Sequence, residues 1–135
     1  MYISTIISPQ IADTDMQGHI NFLAYSAWFD RARTRIYKEI SPDLAFRPHG
    51  MVVLKTEVTF LKEVYVQRDV EIRSWISVLG NKSFEMTQEC WQQGERCAVG
   101  KTIFCAFNFN EHKSEPIQDS FRAVLEKYVW QEPIF

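Results

Sequence analysis

No stretch of this chain approaches the roughly 18 consecutive apolar residues that a bilayer-spanning helix needs, so no membrane partner is expected. The opening residues, MYISTIISPQIADTD, hold neither a basic start nor a continuous apolar run, and no secretory signal is read there. Cysteine is scarce. Cys90, Cys97 and Cys105 make an odd count with no Cys-x-x-Cys pair, which argues against a disulfide framework and predicts buried free thiols in a reducing cytoplasm. An excess of either charge is also missing. Fifteen Lys and Arg face seventeen Asp and Glu, for a net charge of −2, so nucleic acid is not expected as a partner. Internal repeats, low-complexity runs and linkers are absent, and 135 residues fit one domain spanning 1–135.

What the chain does have is apolar and aromatic content, 46% and 14%, enough for an aromatic-rich core. Residues 2–7 read as a short first strand, stopped by Pro9. Phe22, Tyr25, Phe29, Ala32, Ile36 and Ile40 then step by three or four, which predicts one long helix with a single buried stripe. Arg31, Arg33, Arg35 and Lys38 lie off that stripe. Pro42 and Pro48 end the helix in a loop reaching Gly50. No proline follows until Pro116, and the pattern changes to period two. Val52, Leu54, Thr56, Val58 and Phe60 alternate with polar residues, as do Val70, Ile72, Ser74, Ile76 and Val78. Gly80-Asn81 and Gly94-Glu95 mark turns, so residues 82–90 and 97–109 complete a four-strand antiparallel meander. Residues 103–109 are apolar at nearly every position and should be covered on both faces. Phe121, Leu125 and Tyr128 predict a short terminal helix within 117–130. The natural partner for the apolar face of such a sheet is the long helix.

Chemistry concentrates just before that helix. Asp13, Asp15, Gly18, His19 and Asn21 fill a short polar loop that runs into it. Free backbone N–H groups and the positive end of the helix dipole favour negative charge at such a place, which suits acyl chemistry. Asn21 is placed to cap the helix and Asp13 to hold the loop in an Asx turn. Gly18 allows a sharp turn or a close approach to ligand. His19 could orient Asp15 or a water, or serve as a satisfied loop histidine. Asp13, Asp15 and His19 could in principle ligate a divalent ion, but no further His or Cys cluster supports them and no metal is expected. Asp30 precedes Arg33 by three residues, the spacing of a helix-surface salt bridge.

The order of elements and these residues resemble the hot-dog fold, an α+β arrangement of one long helix packed on an antiparallel β-sheet. Within it the chain resembles the 4-hydroxybenzoyl-CoA thioesterase-like acyl-CoA thioesterases. Asp13-Thr14-Asp15-Met16-Gln17-Gly18-His19-Ile20-Asn21 is similar to that family's D-x-D-x-x-G-[HV]-[VI]-N loop. Asp30-Arg31-Ala32-Arg33 is similar to its acid-x-A-R step, and Asn81-Lys82-Ser83-Phe84 to a basic turn that meets the nucleotide end of CoA.

The resemblance implies hydrolysis of acyl-CoA or acyl-carrier thioesters to free acid and thiol, with no cofactor beyond the CoA of the substrate. It implies Asp15 as catalyst, either as nucleophile through a mixed anhydride or as general base for water. Asp30 is the reserve candidate, because a related class uses a helix carboxylate. Phe22 stands where some relatives carry a catalytic histidine, so that variant is not expected. One oxyanion donor is implied near Phe22, and another near Met51, Val52 and Val53 of a neighbouring subunit, in a homodimer or homotetramer. Gly18, Asn21, Tyr25, Lys82 and Ser83 complete the implied substrate contacts. Two other functions fit the same fold: a hot-dog hydratase or dehydratase, and a non-catalytic acyl-thioester-binding module. The first wants an acid and a histidine set across the acyl chain, whereas Asp15 and His19 share one loop. The second needs no loop carboxylate.

Overall fold

A computed structural model describes residues 1–130. Strand β1 (Ile3–Ile7) leads through a single 3-10 turn (Ile11–Asp13) into helices α1 (Phe22–Ala32) and α2 (Thr34–Ile40). Four strands follow: β2 (His49–Phe60), β3 (Val70–Leu79), β4 (Ser83–Gln92) and β5 (Glu95–Asn108). A two-residue strand β6 (Lys113–Ser114) and helix α3 (Asp119–Lys127) close the described chain. The sheet is antiparallel and runs β1-β3-β4-β5-β2, with β6 paired to the end of β5. No helix among the described residues is long and apolar enough to cross a membrane.

The strands fall where alternation placed them, but the expected four-strand meander does not form. Only β3, β4 and β5 follow one another. β2 pairs with β5, from His49 opposite Asn108 to Phe60 opposite Ala98. The reason is segment 61–69, which carries the chain across the sheet instead of turning it back. The long strand β5 therefore lies inside the sheet, and β2 forms one edge, with β1 at the other. Alternation specifies that a segment is a strand and which face it buries, not which strand it joins.

The predicted single helix is two helices. Arg33 N–H turns back to Asp30 rather than to Phe29, and the freed Phe29 carbonyl accepts from Gln88 Nε2 at 2.8 Å. Arg33 is not on the surface. It is 8% exposed; its Nε donates to Gln88 Oε1 at 3.0 Å and its second terminal nitrogen to Thr102 at 2.9 Å. Gln88 also donates to Ser74 at 3.0 Å, and no buried side-chain polar atom among the described residues lacks a partner. This belt separates two apolar clusters. Tyr25, Trp28, Phe29, Ile72 and Cys90 lie on one side; Ile36, Phe84, Phe104, Phe121, Leu125 and Tyr128 lie on the other. Trp28 thus joins the core, while Phe22, placed on the stripe by its spacing, is 65% exposed at the helix start. Helix α1 lies close against β5 because Gly100 is bare. A Cβ there would stand 2.7 Å from the Phe29 ring. The three cysteines are free and buried, as expected.

Candidate active site

The polar loop is built by its own side chains. Asp13 Oδ2 accepts from Gln10 N–H at 2.8 Å, and its carbonyl accepts from Asn21 N–H at 2.7 Å. Gly18 takes φ +79°, a conformation that costs glycine little. Asn21 caps α1, its Oδ1 accepting from Leu23 N–H at 2.9 Å, and its carbonyl accepts from Ala24 N–H. Leu23 and Ala24 being engaged, the Phe22 N–H is the first-turn donor left without a partner among the described residues.

Asp15 lies within this loop, six residues before the N-cap Asn21. Its Oδ1 accepts from Gln17 N–H at 2.8 Å and from His19 N–H at 3.1 Å. Among the described residues those are its only side-chain hydrogen bonds, so Oδ2 stays open to a ligand. The residue lines a cleft of about 500 Å³ together with His19, Phe22, Tyr25, Phe60 and Glu63. Tyr25 packs edge-on against Phe60, ring centroids 5.1 Å apart. Burial, then the neighbouring Cys90, Cys97 and Glu63 groups, push the Tyr25 hydroxyl up to about 12, so it remains a proton donor at neutral pH. Lys62 also borders the cleft but is tied to Glu95 at 2.9 Å, an interaction that raises its pKa.

The His19 ring does not address Asp15. Its Nε2 lies 3.2 Å from Glu63 Oε1, on the loop between β2 and β3. Glu63, like Phe60 and Lys62, is a cleft residue that sequence reasoning missed. It stands 44 positions from His19 in an unpatterned loop, and no spacing rule connects the two. Asp13, Asp15 and His19 point to different partners, and no set of three or more His, Cys, Asp or Glu among the described residues converges as metal ligands.

The remaining anticipated site residues lie elsewhere. Asp30 is solvent-facing, 3.5 Å from Arg33, and does not line this cleft. Met51, Val52 and Val53 sit at the opposite end of β2, opposite Ala106, Cys105 and Phe104. Lys82 and Ser83 sit at that end too, since the Lys82 carbonyl accepts from Ala106 N–H and Ser83 pairs with Cys105. Phe60, beside Asp15, pairs with Ala98. Ala98 and Ala106 are eight residue steps apart on β5, so the two groups are roughly 25 Å apart along the sheet. A second, apolar cavity of about 460 Å³ lies at the Met51 end, walled by Tyr37, Leu44, Phe46, Val53, Phe104 and Phe109.

Residues 9–125 match the family model described as the thioesterase-like superfamily. A predicted thioesterase from Bacillus stearothermophilus is 35% identical over 98% of this chain and all of its own, with a TM-score of 0.93. A Thermus thermophilus thioesterase complexed with coenzyme A and Zn is 23% identical, covering 93% of this chain and 92% of that one, at a TM-score of 0.82. A DHNA-CoA thioesterase from Staphylococcus aureus is 20% identical over 93% of this chain and 89% of its own, also at 0.82. No curated protein matches the chain. The hot-dog architecture expected from the order of elements and the motif residues is the one observed.

Proposed function

This chain belongs to the thioesterase-like superfamily and is a thioester hydrolase, and from that premise we propose that it cleaves acyl-CoA with Asp15 as the reacting carboxylate. The observation that carries the reading is the division of labour on that carboxylate. Oδ1 holds the loop through two backbone N–H groups, while among the described residues Oδ2 and the Phe22 N–H have no hydrogen-bond partner, and Asp15 and Phe22 line the same cleft. A thioester carbonyl placed there has its oxygen near a helix N-terminus, where developing negative charge is stabilised, and its carbon near Oδ2. Asp15 then acts as base on a water or attacks the carbonyl itself; the site accommodates both. Relatives crystallised with coenzyme A support CoA as the thiol.

One copy holds only part of such a site. Met51, Val52, Val53, the apolar cavity and Lys82 lie roughly 20–25 Å along the sheet from Phe60, which lines the cleft with Asp15, too far for one carbonyl to touch both groups. Strand β2 is a twelve-residue free edge with Val53, Leu54 and Phe60 half or more exposed. Such an edge favours pairing with another strand. Antiparallel pairing of β2 with β2 of a second copy is self-complementary. It carries the Met51 end of each copy towards the Asp15 end of the other. We therefore read the working unit as at least a homodimer. The cleft supplies the carboxylate, and the second copy supplies an oxyanion donor near Met51, an apolar chamber for the acyl group and Lys82 for a CoA phosphate.

The test is to incubate the protein with a panel of acyl-CoAs and follow free thiol. Release that disappears in Asp15→Asn supports the reading. A panel without any thiol release rejects acyl-CoA as substrate.

A further inference from the structure

We propose that Glu63 is a positioning residue for this reaction, acting through His19 to aim the attacking water. The inference rests on the Asp15 reading above. Three facts lead to it. Asp15, His19 and Glu63 line the same cleft, brought from two loops. The two functional parts of His19 are separated: its backbone N–H is spent on Asp15 Oδ1, while its ring reaches away to Glu63, Nε2 to Oε1 3.2 Å. The other charged group at this wall, Lys62, is occupied by Glu95, so Glu63 faces His19 rather than Lys62 among the described residues.

An ionised carboxylate only accepts hydrogen bonds, so the nitrogen turned to Glu63 must carry the proton. In the neutral ring the remaining nitrogen, Nδ1, is then the acceptor. A water that gives one hydrogen to Nδ1 and the other towards Asp15 Oδ2 has its lone pairs left for the carbonyl carbon. In the general-base route one O–H bond breaks and its proton passes to Asp15. The new C–O bond forms, and the C=O π pair moves to the oxygen beside Phe22 N–H. On collapse the C–S bond breaks, the thiolate leaves with the pair, and Asp15 returns the proton to sulfur. In the covalent route Asp15 Oδ2 forms the C–O bond as the C–S bond breaks and the thiolate leaves with the pair. The same water then adds to the anhydride carbonyl, the acyl–Oδ2 bond breaks with its pair going to Asp15, and the displaced water proton passes through the freed Asp15 carboxylate to the thiolate. His19 keeps its own protons throughout, and Glu63 never touches substrate.

The experiment compares Glu63→Ala, Glu63→Gln, His19→Ala and the Glu63→Ala/His19→Ala double variant, by thiol-release kinetics and by nitrogen NMR of the His19 ring. A misaimed nucleophile costs about 10- to 100-fold. Glu63→Ala should lose that much in kcat with KM nearly unchanged. Glu63→Gln keeps an acceptor oxygen and should recover most of the loss. The double variant should fall no further than His19→Ala alone. The ring signals should show Nε2 protonated in the wild type and in Glu63→Gln, and a mixed population in Glu63→Ala. Ring signals unmoved by Glu63→Ala, losses that add in the double variant, or a penalty confined to KM each overturn the proposal. The NMR arm does not depend on turnover. A wild type that releases no thiol would therefore reject the acyl-CoA reading, while the ring signals still decide whether Glu63 holds His19.

Discussion

Replacing Asp15 by asparagine separates chemistry from loop architecture. The amide oxygen can take over both bonds that Oδ1 accepts, from Gln17 and His19 N–H, so the loop should keep its shape. What changes is Oδ2, which becomes an amide nitrogen unable to accept a proton or attack a carbonyl. Losing a positioned base commonly costs at least ~100-fold in rate, equivalent to about 2.7 kcal/mol of transition-state stabilisation. Folding stability should move by no more than about 0.5 kcal/mol, as for an ordinary surface exchange. Asp15→Ala removes both loop bonds as well. At about 1 kcal/mol net for each, it should lose a further 1–2 kcal/mol of stability, a melting shift of several degrees. The assay pairs steady-state thiol release with thermal unfolding of both variants. Wild-type turnover in Asp15→Asn would refute the catalytic role. So would activity that tracks melting temperature across the pair, because Asp15 would then only hold the loop.

Lys82→Ala should raise KM with little change in kcat; the effect should shrink as salt rises and vanish with thioesters that carry pantetheine but no nucleotide. An equal penalty with the truncated substrate would remove Lys82 from CoA recognition. Leu54→Lys, on the free edge of β2, should yield monomers in light scattering and abolish turnover together; fully active monomers would reject the shared site. Gly100→Ala drives a Cβ to 2.7 Å from the Phe29 ring and should cost about 1–3 kcal/mol in denaturant unfolding. Burial pushes both the Cys90 thiol and the Tyr25 hydroxyl up to about 12, so each is neutral in the fold and ionises more readily in the unfolded chain. Stability should hold up to about pH 9 and fall between 9 and 12, with a shallower decline in Cys90→Ala; a flat profile through that window would show that burial does not set these groups.

Local signals in this sequence were legible because they act over a few residues. Asn21 caps as its place before the helix suggested, Gly18 takes the positive φ its loop needed, and Phe121, Leu125 and Tyr128 are buried together. The failures involve partners remote in sequence. Arg33 reads as one of several basic residues off an apolar stripe. Its burial depends on Gln88 and Thr102, 55 and 69 positions away. The helix break depends on the same Gln88 taking the Phe29 carbonyl. Strand β2 alternates like its neighbours, and nothing in that alternation chooses β5 over β3. For the candidate site, the loop motif picked out residues that the fold gathers at one cleft, Asp15, His19, Phe22 and Tyr25, while the Glu63 contact required the fold.

The polar belt around Arg33 has a consequence for how this chain can be altered. It acts as a keyed joint, since helix and sheet can meet there in one alignment only. Sliding α1 by a turn would strand a guanidinium and an amide in apolar surroundings, at several kcal/mol. The Asp15 end is thereby fixed in aim, whatever happens beyond the joint. On the far side, α2 and the loop after it wall the apolar chamber with Tyr37, Leu44 and Phe46. Substitutions there can reshape that cavity without tilting the helix that begins beside Asp15. A library confined to residues beyond the joint should therefore change substrate preference more readily than it destroys turnover.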